Sequence, residues 1–431
     1  MLTQVKLTNF KSYIEGTLHF ARLTVLIGAN ASGKSNAIEA LRLLVRIAEG
    51  ERLTFISTPY KHIIRGGGRN VGYRGEKSFS ISCVTTEDEW NNFLITLGVG
   101  DDGELHVIKE EIRSPSSSVP LYEIASEPQG AGNDVFVTYN NFARGGRKPR
   151  IVCSSQMAIV TQLLSEIRFH KDNQKSREDI PKISEKYVRW LSSIVFLDPE
   201  PSAMRDYGHK TDKVLKEHGE NLSGVMYNLC LDQKIKAAVL KFVQSLPEQD
   251  IEDIDFIETP RGEVMLKLTE TFGNTSACYD ASMLSDGTLR VLSIAGMMLS
   301  APEQSLVVIE EIDNGVHPSR AAALLERISN IAEERNLRVL ISSHNPALLD
   351  ALPDKAIPET VFCYRNPKDG SSSLIRLKDI RDYPELIAQG SVGHLMTRGI
   401  LERFVKQYQT PEQKKLKAMD WLSSLAKKEE E

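Results

Sequence analysis

The stretch GANASGKSN, Gly28 to Asn36, follows a mostly apolar run, Leu23 to Ile27, and opens a segment with helical apolar spacing from Ala37 to Ile47. An apolar run of that length bounded by glycine predicts a buried strand, and the glycine turn into a helix predicts a strand–loop–helix unit. Such a unit commits a chain to an α/β architecture with parallel strands. Gly28, Gly33, Lys34 and Ser35 satisfy G-x-x-x-x-G-K-[ST]. In that pattern backbone N–H groups wrap phosphates, the lysine reaches the outer phosphoryl oxygens, and the hydroxyl takes Mg2+. Asn30, Ala31, Ser32 and Asn36 complete the expected phosphate-contacting stretch.

A phosphate loop of this kind needs an acidic strand beside it, because the metal shell and the attacking water both call for carboxylates. LVVIEEID supplies it: Glu310 is expected to support Mg2+ and Glu311 to act as general base. Side chains alternate across a strand, so the two acids diverge unless the strand ends there, and the turn residues DNGVHP predict that it does. LSDGT, Leu284 to Thr288, places Ser285, Asp286 and Gly287 at a helix start that can offer N–H groups to an anion. ISSHNP ends the following strand with His344, within reach of a terminal phosphate.

Elsewhere the chain alternates predicted strands and helices. Strands are expected over Gln4–Asn9, Thr17–Phe20, Ile194–Leu197, Leu306–Ile309, Arg338–Ser342, Val361–Tyr364 and Ser373–Leu377, and helices over Lys34–Ala48, Asp286–Leu299, Ser319–Glu334 and Pro346–Ala351. Short β-like runs, SFSISCV, LITLGV and DVFVTY, fill Lys77–Arg150, and helical spacing dominates Ala158–Asp250. Five scattered cysteines without CxxC spacing argue against a zinc knuckle or a disulfide framework and fit a reducing cytoplasm. No stretch approaches the roughly 18 apolar residues of a membrane span. With a net charge of −5, bulk electrostatics do not advertise nucleic acid; the basic loops Arg65–Lys77 and Ala143–Arg150 are read as solvated.

In this order the motifs resemble the ATP-binding-cassette ATPases of the structural-maintenance and recombination-repair branch, and more closely the prokaryotic ATPases that carry LSDGT. The likeness covers Met1–Ile47, with LTNFKSY leading into the loop, and Met283–Leu352; FLDPEPSAMRDY and GENLSGVMYNL resemble the family's helical lid. It implies an α/β ATPase head with a mostly parallel sheet flanked by helices, an antiparallel β subdomain and an inserted lid. The expected division is 1–84 for the first half of the head, 85–157 for a β-rich insert, 158–250 for the lid, 251–382 for the second half and 383–431 for C-terminal helices. It further implies a head-to-tail dimer, or a higher even-numbered oligomer, sandwiching ATP with Mg2+. Ser285 and Gly287 of one copy then face nucleotide held by the other, and Asp313, Asn314 and His317 cross the interface. Lys11 and Arg65 are added phosphate or ribose contacts. No glutamine loop is recognisable, and there is no heptad run for a coiled-coil arm.

Relatives of this build without coils or membrane domains are similar to ATPase subunits of antiphage systems of the Septu type. That implies a separate nuclease subunit, with an HNH endonuclease favoured. A DNA-repair ATPase acting directly on DNA, and a nucleotide sensor with little turnover, are the alternatives.

Overall fold

A computed structural model of the chain describes residues 1–58, 63–126, 133–143, 145–244, 250–273, 275–313 and 318–406. Arg144, Asn314, His317 and everything expected beyond residue 406 lie outside the described residues.

The Leu23–Ile27 and Leu306–Ile309 runs form strands buried at every position, as a sheet covered on both faces requires. They belong to a six-stranded sheet ordered Val195–Leu197, Leu306–Ile309, Arg338–Ser342, Leu23–Ile27, Val361–Arg365, Ser372–Arg376. All neighbours are parallel except the last pair. Period-two alternation sends successive residues of one strand into two different cores. Leu23, Val25 and Ile27 pack with the helices Asp286–Ser300 and Pro318–Glu334, while Leu26 packs with the phosphate-loop helix, Lys34–Ala48, and a second sheet.

That second sheet is eight-stranded and antiparallel. It runs in the order Tyr13–His19, Leu2–Phe10, Ser78–Thr85, Asn92–Val99, Leu105–Arg113, Tyr122–Ser126, Asp134–Tyr139, Arg150–Ser154. Strands from residues 78 to 154 thus extend the sheet begun at Leu2. Helices Gln174–Ser192, Leu222–Cys230 and Gln233–Val243 follow, and a small antiparallel sheet of Gly208–His209, Ile251–Glu258, Glu263–Phe272 and Thr275–Asp280 leads into the Asp286–Ser300 helix. Among the described residues no helix is long and apolar enough to cross a membrane.

Leu105–Arg113 escapes sequence periodicity because Glu110 and Glu111 interrupt its alternation, yet both side chains are buried, Glu110 in the core and Glu111 beneath Lys109 and Arg113. Glu110 is fully buried and accepts from the amide N–H groups of Ile159 at 2.7 Å and Val160 at 2.6 Å and from the Tyr122 hydroxyl at 2.8 Å. Burial pushes its carboxyl from 4.5 up to about 7, against the pull of those donors. A raised native value means the folded chain holds the proton that the unfolded chain has released. Native stability of the wild type relative to Glu110→Gln therefore falls as pH rises from about 4.5 to about 7, checked by paired thermal melts across that window. A difference that stays flat or rises with pH overturns this.

Candidate functional site

Parallel register brings the ends of four strands to one edge of the sheet, where open α/β sheets bind ligands. Leu197 lies opposite Ile309, Ile309 opposite Ile341, and Ile341 opposite Val25, so Glu310, Ser342 and Gly28 all emerge together. A cavity of about 390 Å³ opens there. Its walls carry Asn30 to Asn36 of the loop, Arg65, Glu310, Glu311, Ser342, Ser343, His344 and Arg365.

The loop is held open by backbone conformation. Gly28 and Gly33 have φ of 148° and 123°, and a side chain at either would strike the Cys363 carbonyl or the Ser372 hydroxyl. Three residues outside the motif fix its carbonyls. The Tyr13 hydroxyl donates to Gly33 O at 2.9 Å, Ser372 Oγ to Ser32 O at 2.5 Å, and Arg365 Nε to Ala31 O at 3.0 Å. These contacts tie the loop's carbonyls down, and the Ser32 N–H closes a turn on Ala29 O at 3.2 Å, so the loop backbone is braced from within and from outside. The Lys34–Ala48 helix begins at Gly33, which has no side chain to cap it, and its first turn carries no acid. Its positive end is therefore unneutralised and suited to a phosphate.

Lys34 donates to Gly28 O at 2.6 Å and Ala29 O at 3.1 Å, folded back over its own loop. Burial lowers its pKa, only partly countered by Cys363, Glu311 and Asp313. An ammonium in that state gains from an anion in the cavity. Ser35 is exposed at the helix start and lines this cavity and a neighbouring one.

The acid strand ends at Ile309, as its turn residues predict. Glu311 then takes a left-handed φ of 46°, with its N–H donating to Ser342 Oγ at 3.1 Å, so both acids face one cavity instead of opposite faces. Glu310 Oε1 accepts from Arg42 Nη2 at 2.5 Å. Arg42 also pairs with Glu217 and lies 4.5 Å from the Phe196 ring centroid. Burial raises the Glu310 carboxyl, and Arg42 pulls it back down. His344 Nδ1 lies 3.5 Å from the buried Asp313 carboxylate and itself remains half exposed.

Glycine cradle, bare helix end and flanking ammonium fit a nucleotide triphosphate. Ser35 and Glu310 supply one hydroxyl and one carboxylate for Mg2+, an ion that draws most of its ligands from water and phosphate. Among the described residues no cluster of three or more His, Cys, Asp or Glu is poised to hold a metal alone.

Of the two added contacts, Lys11 stands elsewhere and Arg65 does not. Lys11 is spoken for by Glu39 at 2.9 Å and by the Arg65 carbonyl at 2.5 Å, and it lines a separate cavity with Tyr73 and Arg74. Arg65 does reach the cavity around the glycine loop, with its Nε on Glu39 at 2.8 Å. Ser285, Asp286 and Gly287 are also outside that cavity. Ser285 caps its own helix, accepting from the Thr288 N–H at 3.1 Å, and both Ser285 and Asp286 are exposed. In the Ala143–Arg150 loop, Lys148 is absorbed locally by Asn141 Oδ1 and Ala143 O. Arg42, Arg365 and Ser372 carry no motif, Tyr13 ends the LTNFKSY stretch without being singled out there, and only the fold reveals their contacts.

Residues 165–350 match the family model described as "AAA domain, putative AbiEii toxin, Type IV TA system", and residues 1–98 match an "AAA ATPase domain". No curated protein matches the chain. Among solved structures, an Smc head bound to the C-winged helix domain of ScpA is 14% identical, with 87% of this chain and 97% of that one covered at a TM-score of 0.45. An SMC head domain from Thermotoga maritima is 13% identical over 87% and 98% of the two chains at 0.41.

Proposed function

We propose that this chain, whose residues 1–98 and 165–350 match AAA-type ATPase models, binds ATP with Mg2+ at its phosphate loop and hydrolyses it as a head-to-tail pair. The observation that carries the reading is a division of labour. One cavity gathers Lys34, Ser35, Glu310, Glu311 and His344, while Ser285 and Asp286 stand exposed outside it, available to a second copy.

Mg2+ bound with the nucleotide neutralises charge on the phosphate oxygens. Lys34 and the N–H groups of the loop hold the phosphates and stabilise charge that grows during transfer. Glu311 orients a water in line with the terminal phosphate and accepts its proton. His344, steadied by Asp313, donates toward the same phosphate. A second copy's Ser285 and Gly287 close the far side.

The direct test is assembly. With ATP and Mg2+ the wild type doubles its mass in light scattering, whereas Ser285→Arg, whose long side chain fills the space the phosphate must enter at the helix start, stays single at the same nucleotide occupancy. Wild-type mass unchanged at saturating ATP overturns the pairing.

We place the activity in the cytoplasm, as control of a separate nuclease subunit, HNH-type, in antiphage defence. Its support is the likeness of LSDGT-bearing ATPases to such subunits and the toxin–antitoxin wording of the family model matched by residues 165–350. Copurification of the chain from its host identifies the partner. Recovery of DNA alone favours repair instead.

A further inference from the structure

Arg205 follows a short 3-10 turn, Pro201–Met204, whose Pro201 and Met204 are buried, and Met204 is packed in the core with the Asp286–Ser300 helix. From that anchored base its guanidinium reaches three acceptors on the segment entering the helix. Nη1 donates to Ser282 O at 2.9 Å and to Leu284 O at 2.7 Å, and Nη2 donates to Asp286 Oδ1 at 2.6 Å. A planar fork can hold three acceptors at once in fixed geometry, which an ammonium cannot. The acceptors bracket Ser285, and the exposed neighbour Met283, 65% accessible, lies in the same segment.

We propose that Arg205 is a positioning residue that presents Ser285 and Gly287 to nucleotide held by a second copy. The inference rests on the head-to-tail reading above. Arg205 does not line the cavity around Lys34, and its hydrogen-bond partners Ser282, Leu284 and Asp286 lie on the face offered in trans. It also links the segment between Val195–Leu197 and Gly208–His209 to the LSDGT stretch, the signature offered to the neighbour, so a shift of that segment moves the N–H groups aimed at the neighbour's phosphate.

Arg205→Ala is expected to leave fluorescent ATP-analogue binding to the isolated chain unchanged and to lower kcat by about 10- to 100-fold, the cost of a misplacement near 1 Å. Arg205→Lys, which keeps the charge without the fork, falls between the two and guards against simple misfolding. The decisive readout is complementation with Lys34→Ala. In a mixed pair one site combines the intact Lys34 of the Arg205→Ala chain with the intact signature of the Lys34→Ala chain. Random pairing makes half of the dimers mixed, each with one good site of two, so the mixture recovers about one quarter of the wild-type rate. Ser285→Arg mixed with Lys34→Ala is the control for the pairing itself. If the control recovers and the Arg205→Ala mixture does not, or if Arg205→Ala turns over at the wild-type rate, the role of Arg205 is overturned. If neither mixture recovers, the head-to-tail reading fails and takes this inference with it.

Discussion

Glu311→Gln binds ATP as tightly as the wild type, hydrolyses it at least about 100-fold more slowly, and accumulates as an ATP-bound pair, because a positioned general base contributes about 100- to 10,000-fold. The amide keeps the size of the carboxylate and the backbone that Ser342 holds at 3.1 Å, so the loop contacts that retain nucleotide are untouched. What it loses is the capacity to take a proton from water. Single-turnover release of phosphate measures the rate, and light scattering in ATP and Mg2+ measures the trapped species. Glu310→Gln offers a contrast, since Glu310 is paired with Arg42 at 2.5 Å and sits beside Ser35. That variant requires more Mg2+ for half-maximal turnover. Turnover of Glu311→Gln within a few-fold of the wild type would remove Glu311 as the base and transfer suspicion to His344.

What the sequence disclosed was what local patterns determine. Leu23–Ile27, Lys34–Ala48, Leu306–Ile309 and Arg338–Ser342 fall where apolar spacing and glycine placed them. Each is a short stretch whose neighbours in sequence settle its conformation. The strand Tyr13–His19 was expected to start only at Thr17, because exposed Ile14 and Glu15 break its alternation. Leu105–Arg113, Tyr122–Ser126 and Arg150–Ser154 were missed as separate strands, the first because it buries a carboxylate on partners almost fifty residues away. The braces of the phosphate loop show the same limit. Arg365 and Ser372 reach it because Val361–Arg365 lies beside Leu23–Ile27 and Ser372–Arg376 beside Val361–Arg365, while Tyr13 reaches it from the first hairpin of the other sheet; these adjacencies are properties of strand order. Arg42 sits one face of a helix away from the loop and shows its purpose only once Glu310 and Glu217 are brought to it.

Lys34→Ala separates binding from folding, since the two effects differ in kind. Without nucleotide, the Lys34 ammonium is half-buried on two carbonyls, and its lowered pKa records that burial disfavours the charge. Removing it takes away a charge whose hydrogen bonds are to two carbonyls and whose burial cost outweighs the pull of Glu311 and Asp313, so the melting temperature of the nucleotide-free chain stays near that of the wild type. With nucleotide the balance reverses, because the same ammonium becomes the closest cation to the phosphates. Truncating one partner of a buried charge pair costs about 2 to 5 kcal/mol, or roughly 30- to 5,000-fold in affinity. A ligand at free concentration L stabilises the fold by RT ln(1 + L/Kd), so at a concentration a few times the wild-type Kd a site weakened about 30-fold or more gains almost nothing. The rise in melting temperature that ATP gives the wild type therefore vanishes in Lys34→Ala at the same concentration, while the nucleotide-free melts coincide. An ATP-induced rise that survives the substitution places the phosphates elsewhere than in the Gly28–Asn36 loop.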